Sequence, residues 1–264
     1  RMLPEEVWPM PRLGTFNLHA ALLPQYRGAA PVNWAVINGE RITGVTTFMI
    51  DKNIDTGGII LRHEVRIGPD DTAGDVHDAL MEVGAKLVVE TTEGLITHNV
   101  ETRVQRSFIQ GSEVLKPAPK LTKENTRIDW SRPAEEIRNL VRGLNPYPTA
   151  WTTLVRDGKA TDVKVFAVSP ASGQESSLLR RINAPQSDPA ASAEVEVKSA
   201  DSQEISRHGN NEKAGTIWID GGRLLVKAGD SWLEVKELQL AGKKRMEAAA
   251  FLRGFREIEQ YRFE

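Results

Sequence analysis

The sequence predicts an α/β chain in two parts: an open-sheet α/β unit over residues 1–98, then a small antiparallel β-barrel. Three observations predict it. Within residues 1–98, β-branched and aromatic runs alternate with segments of helical periodicity. Beyond residue 150 the pattern changes to short strand-like runs joined by Gly-containing turns. The charge also changes sign: residues 1–98 hold 8 Lys/Arg against 13 Asp/Glu, a net of −5, leaving 26 against 23, a net of +3, for residues 99–264. An acidic front and a mildly basic back suggest two units with different partners.

The elements follow in order. Residues 14–17 read as a short strand running into His19, and residues 29–38 as a short buried helix ending at Asn38-Gly39. Gly44 to Ile50 and Gly58 to Ile67 read as strands, with a polar loop from Asp51 to Gly58 between them. Thr72 opens a helix, with Asp75 three residues on as its capping-box partner. Val76, Leu80, Val83, Leu87 and Val88 give that helix one apolar face, and it reaches about Ile96. Residues 98–120 carry little periodicity, and Pro117-Ala-Pro-Lys reads as an extended linker. A helix is expected over 133–143, with Ser131 as N-cap and Asn145-Pro-Tyr-Pro as its stop. Strands are expected at 150–155, 162–168, 216–219, 223–228 and 232–238, with a closing helix around Phe251-Leu252. Residues 169–213 hold 9 serines and no Phe, Tyr or Trp, and are expected to be a mobile insertion with at most one strand, near Val195–Val197.

Composition excludes several functions. With 40% hydrophobic and 27% charged residues, 264 residues can bury a core. The absence of cysteine removes disulfides, thiolate nucleophiles and Cys-ligated zinc. It suits a reducing compartment, and a cytoplasmic location is expected. There is no apolar run of 18 residues, so no membrane partner is expected, and no histidine has metal-ligand spacing. A monomer is expected.

The chemistry concentrates in Asn17-Leu-His19-Ala-Ala-Leu-Leu-Pro24-Gln-Tyr-Arg27-Gly28-Ala-Ala-Pro31. Asn17 and His19 are two apart, so an extended backbone points both the same way. An amide donor and an imidazole facing one spot can bind a carbonyl oxygen and move a proton. Leu22-Leu23-Pro24 can wall a flat ring, and Arg27-Gly28 offers a guanidinium beside a permissive backbone. Asp55, in Ile54-Asp55-Thr56-Gly57, lies beyond the strand ending at Ile50, where a carboxylate can pair with His19. A histidine after a strand is also a common packed group and Asp-Thr-Gly a common turn. Spacing alone leaves catalysis and packing both open.

These motifs, with Gly44-Val-Thr-Thr, resemble the folate-dependent formyltransferases, and among them the branch that acts on charged tRNA. The match continues through Pro119-Lys-Leu-Thr-Lys, Ile128-Asp129-Trp130, Leu144-Asn-Pro-Tyr-Pro148-Thr-Ala-Trp151 and Gly242-Lys-Lys-Arg-Met246, and covers most of the chain except 169–213. The resemblance implies a partial Rossmann-like formyltransferase domain over 1–98, a linker over 99–120 and an OB-like β-barrel domain over 121–264 that helps to hold tRNA. It implies transfer of a formyl group from the co-substrate 10-formyltetrahydrofolate to the α-amino group of methionyl initiator tRNA, without a metal. Asn17 and His19 would bind the formyl oxygen, and Asp55 would support His19. Ala21, Leu22, Leu23 and Pro24 would border the folate, Ala21 standing where the family pattern has Ser. Arg27, Lys120, Lys243, Lys244 and Arg245 would contact tRNA. The alternatives are another 10-formyltetrahydrofolate enzyme, acting on a sugar nucleotide or as a hydrolase, and a non-catalytic RNA- or folate-binding relative. The family pattern also places the first half of a doubly wound domain before the stretch matching Arg1. Without it the 264 residues are expected to carry an exposed sheet edge, to be weakly stable and to be nearly inactive.

Overall fold

A computed structural model describes residues 3–171, 212–255 and 257–264. The expected insertion, with its strand at 195–197 and His208, lies outside the described residues apart from its ends at 169–171 and 212–213. The chain divides into two compact units, residues 1–127 with 139–150 and residues 128–138 with 151–264.

The first unit is built on a three-stranded sheet of order β1 (Phe16–His19), β2 (Ile42–Met49), β3 (Ile59–Arg66). Both pairings are antiparallel: His19 lies opposite Thr46, and Thr46 opposite Arg62. The expected strand ended at Asn17. Gly14 instead closes a turn, its N–H donating to the Pro11 carbonyl at 2.8 Å with φ +80°, so the strand starts later and His19 is its last residue.

Helix α1 (Pro31–Ile37) joins β1 to β2, and α2 (Ala73–Ile96) packs on one face of the sheet. Thr72 and Asp75 form the expected capping box. Val76, Leu80 and Leu87 are buried with Val45, while Leu18 and Leu61 pack at the edge of that cluster. Gly84 permits the close approach, since a Cβ there would sit 2.8 Å from the Leu18 side chain. Fully burying each such Leu or Val is worth about 1.5–3 kcal/mol. His19, Thr46, Phe48 and Arg62 share the opposite face, because directly paired residues of an antiparallel sheet point the same way. There Leu23, Phe48 and Ile59 form a second small cluster, with Phe108 against it.

Residues 99–120, expected as a linker, run along this unit. Arg103 and Ile59 exchange both backbone hydrogen bonds at 2.8 Å. The Ala118 N–H donates to the Arg27 carbonyl at 2.8 Å, and its own carbonyl accepts from the Ala29 N–H at 2.8 Å. A single 3-10 turn, Gln105–Phe108, lies between these two pairings.

In the second unit the strands β4 (Ala150–Arg156), β5 (Lys159–Pro170), β6 (Ile217–Asp220), β7 (Arg223–Lys227), β8 (Trp232–Leu240) and β10 (Arg262–Phe263) form one sheet of order β10-β4-β5-β8-β7-β6, and β9 (Met246–Glu247) pairs with β8. The sheet curls until its two ends meet. Thr216, just before β6, bridges Arg262 of β10, and the Phe263 N–H donates to the Gly215 carbonyl at 2.9 Å. The result is an OB-like barrel with Trp130 stacked on Phe263 at 5.5 Å and the Trp130 Nε1–H donating to Thr152 Oγ1. Helix α4 (Ala248–Gly254) follows β9. Helix α3 (Ala134–Gly143) begins one residue later than expected, and its cap differs. The Ser131 hydroxyl is held by Asp129 at 2.6 Å, and it is the distant Asp230 carboxylate that accepts the Ala134 N–H at 2.7 Å. Among the described residues no helix is long and apolar enough to cross a membrane.

Candidate active site

Strand β1 carries Asn17 and His19 on one side, Asn17 exposed and His19 buried. Beyond β1 the chain doubles over Thr46. The Thr46 hydroxyl donates to the Ala21 carbonyl at 2.6 Å and accepts the Leu23 N–H at 3.1 Å, pinning 21–23 onto β2. The segment then bends through Tyr26 at φ +58° to Gly28 at φ +130°. Gly28 is required twice over: its φ suits glycine alone, and a Cβ there would lie 2.3 Å from the Ala118 carbonyl oxygen.

This bend presents the Gly28 N–H to Asp55 Oδ2 at 3.0 Å. The same carboxylate oxygen is 3.8 Å from His19 Nδ1, with the two side chains only 14% and 7% exposed. That distance is within reach of an ion pair but longer than a hydrogen bond. On its other edge, His19 Nε2 lies 2.8 Å from the Tyr26 carbonyl. A carbonyl only accepts, so Nε2 carries the proton and Nδ1 is the nitrogen turned toward Asp55. The Phe48 ring stands edge-on to the imidazole at 6.4 Å.

Asp55 itself sits at φ +53°, a strained position for a non-glycine residue. What holds it is Gln105, which the motif reading did not single out. Its side chain is buried at 4% exposure. Nε2 donates to the Asp55 carbonyl at 2.8 Å and the Gly57 carbonyl at 3.0 Å, while Oε1 accepts from Arg27 Nε at 3.0 Å and Nη2 at 2.5 Å. One amide therefore ties the Asp55 loop to the Arg27-Gly28 bend. A glutamine in a stretch without periodicity gives no sequence signal of this.

Asn17, His19, Asp55 and Arg27 thus belong to one region of the first unit. Of the stretch expected to border folate, the Ala21, Leu23 and Pro24 side chains are buried, and only Leu22 keeps partial exposure. Leu22 lines a cavity of about 320 Å³ with Gln25, Tyr26, Glu40 and Lys116. There the Tyr26 hydroxyl donates to Glu40 at 2.6 Å and accepts from Asn38 at 3.1 Å, and Lys116 pairs with Glu40 at 2.6 Å. Burial, reinforced by the Glu40 hydrogen bond, pushes the Tyr26 phenol well above its usual value. The expected RNA-contacting residues lie apart in the sequence. Lys120 is exposed just past Ala118. Lys243, Lys244 and Arg245 are exposed in the turn between β8 and β9, ahead of α4. Arg245 is committed within its own unit: it pairs with Glu237 at 2.5 Å, which holds its pKa above the usual range, and it stacks over Phe166 at 4.1 Å.

Comparison with known proteins matches two family models, formyl transferase over residues 1–92 and formyl transferase, C-terminal domain, over residues 120–178 and 174–256. The chain is 44% identical over 263 residues to a methionyl-tRNA formyltransferase of Parabacteroides distasonis, covering 99% of this chain and 70% of that protein. It is 43% identical over 256 residues to one of Chlorobium limicola, covering 97% and 68%. Among solved structures it superposes on HypX from Aquifex aeolicus in complex with tetrahydrofolic acid with a TM-score of 0.60 and 17% identity, covering 96% of this chain and 36% of that one, a likeness of fold.

Proposed function

Because the chain belongs to the methionyl-tRNA formyltransferase family, we propose that it transfers a formyl group from 10-formyltetrahydrofolate to the α-amino group of methionyl initiator tRNA, with Asn17, His19 and Asp55 as its catalytic residues. The observation that carries the site reading is the meeting of His19, Asp55 and the Gly28 N–H, which lie 9 and 27 residues from Gly28 along the chain.

The residues act in the following order. The exposed Asn17 amide donates to the formyl oxygen and stabilises the negative charge that builds there when the carbon becomes tetrahedral. The nucleophile needs little activation, since an α-amine has a pKa of about 7.7–8.0 and is partly free at neutral pH. The amine nitrogen bonds to the formyl carbon and must lose a proton, which His19 Nδ1 can accept on the side that faces Asp55. Asp55, held by Gly28 and Gln105, stabilises the imidazolium so formed. The bond between the formyl carbon and the folate nitrogen then breaks, and the proton passes to that nitrogen. Charge and protons balance without a covalent enzyme intermediate. Lys120, Lys243 and Lys244 supply exposed cations for the RNA backbone.

The test is formylation of charged initiator tRNA by the purified full-length protein, with a nucleotide amino sugar as competitor. Transfer to the tRNA, undiminished by the sugar, is expected. A folded protein that formylates only the sugar, or binds folate without turnover, would overturn the reading.

A further inference from the structure

Two guanidinium groups converge on one ring in the first unit. The Arg62 Cζ lies 4.8 Å and the Arg103 Cζ 4.7 Å from the Phe108 ring centre. Phe108 cannot move away, since its ring packs on the cluster of Leu23, Phe48 and Ile59. Arg62 is fixed by β3 and Arg103 by its backbone exchange with Ile59. Among the described residues neither guanidinium has a carboxylate within ion-pair distance. Glu64 and Glu113 are the carboxylates that act on Arg62, and Glu113 is held by Gln25 at 2.7 Å. Burial outweighs both and lowers the Arg62 pKa.

Two like charges gathered within about 9.5 Å, the sum of the two ring distances, repel each other. The ring offsets only part of that cost. An anion between them removes it, and guanidinium forks match the non-bridging oxygens of phosphate. The position is also informative. Arg62 lies in the same cross-strand row as Thr46 and His19, on the same face. Two strand spacings put its Cα roughly 10 Å from that of His19. We propose that Arg62 and Arg103, gathered over Phe108, form a site for a backbone phosphate of a nucleic acid whose reactive end lies at His19. This deepens the tRNA reading above and rests on it. A single carboxylate, such as that of a folate tail, would satisfy one fork. A phosphodiester chain supplies anions for two, and for Arg106, exposed on the same 3-10 turn as Phe108.

The test measures binding of uncharged initiator tRNA between about 50 and 200 mM salt, where counterion release makes each phosphate contact visible as slope. The double variant R62Q/R103Q is expected to lose tenfold or more in affinity at the low-salt end and to flatten the plot of log K against log salt by roughly 1–2. R62K/R103K, which keeps both charges, should retain the slope. R103Q alone, at an exposed position, should flatten it by about 1 and serves if R62Q disturbs folding. Unchanged slope and affinity in R62Q/R103Q would overturn the phosphate site while leaving formyl transfer standing. So would weakened binding of a glutamylated folate with tRNA binding intact. A folded protein that binds no tRNA would overturn both readings.

Discussion

Replacing Gln105 by Ala tests whether the site is held by the segment outside its motifs. The substitution removes two donors from the Asp55 and Gly57 carbonyls and the shared acceptor of Arg27. Each buried polar group left unpaired costs about 1–3 kcal/mol. Arg27 is partly exposed and can recover water, so the two carbonyls dominate and the total comes to about 2–6 kcal/mol. Asp55 stands at φ +53° and relies on those bonds, so the loss falls first on the loop. If about 2 kcal/mol of it goes into displacing the carboxylate from His19, the transfer rate drops roughly 30-fold. The assay pairs formylation rate with hydrogen exchange at the Gly28 amide, which the Asp55 carboxylate protects. Both should change together in Q105A. In Q105E the acceptor for Arg27 survives while both donors to the loop vanish, so the rate should stay low and Gly28 should still exchange faster. A Q105A protein with normal rate and a protected Gly28 amide would refute the reasoning, as would a Q105E protein indistinguishable from the parent.

Other outcomes follow from the same geometry. Asp55→Asn keeps an acceptor for the Gly28 N–H but removes the charge facing His19, so melting should hold while turnover falls by orders of magnitude, as it should for Asn17→Ala and His19→Ala. Gly28→Ala forces a Cβ to within 2.3 Å of the Ala118 carbonyl oxygen at an unfavourable φ, and denaturant unfolding should show a loss of about 3 kcal/mol. Leu23→Ala, at a fully buried site against Phe48 and Ile59, should cost about 2–5 kcal/mol by the same measurement. Thr72→Ala should cost about 1 kcal/mol by loss of the α2 cap. The Thr72 hydroxyl holds the Asp75 carboxyl below its usual value, so that part of the stability is present above pH about 3.9 and disappears as acid protonates the folded carboxylate below it. Acid titration by circular dichroism should show the dependence in the parent and lose most of it in Thr72→Ala.

Local chemistry was readable in the chain where it repeats or caps. The α2 face came from apolar spacing and its start from Thr72 and Asp75, and both stand as expected. The strands came from β-branched runs, with ends wrong by a few residues. At β1 the strand starts later than expected because the positive φ of Gly14 makes it a turn. Short motifs point to the candidate groups in the site, but not to the contacts that support them. Thr46, Gln105 and the Tyr26 carbonyl act across separations of 7 to 78 residues. The cap of α3 followed the same rule: Ser131 looked right by position, yet Asp230, 96 residues away, takes the Ala134 N–H. A polar partner brought in by tertiary folding leaves no periodic trace, because the period belongs to one element and the partner to another.

The segment with the least pattern is therefore the one most bound up with the site. Residues 103–118 exchange backbone bonds with Ile59 at one end and with the Arg27–Ala29 bend at the other. Between these anchors one 3-10 turn directs Gln105 inward to Asp55 and places Phe108 beneath Arg62 and Arg103. A turn of four residues cannot shift Phe108 without shifting Gln105, since its backbone is pinned at Arg103 only two residues before. Order at the basic pair and order at Asp55 are then one property of the chain. Phe108→Ala, which removes the ring but none of the hydrogen bonds to Asp55, should loosen Gly28 amide protection along with the packing of Leu23. A protected amide in that variant would show that the two ends of the turn move independently.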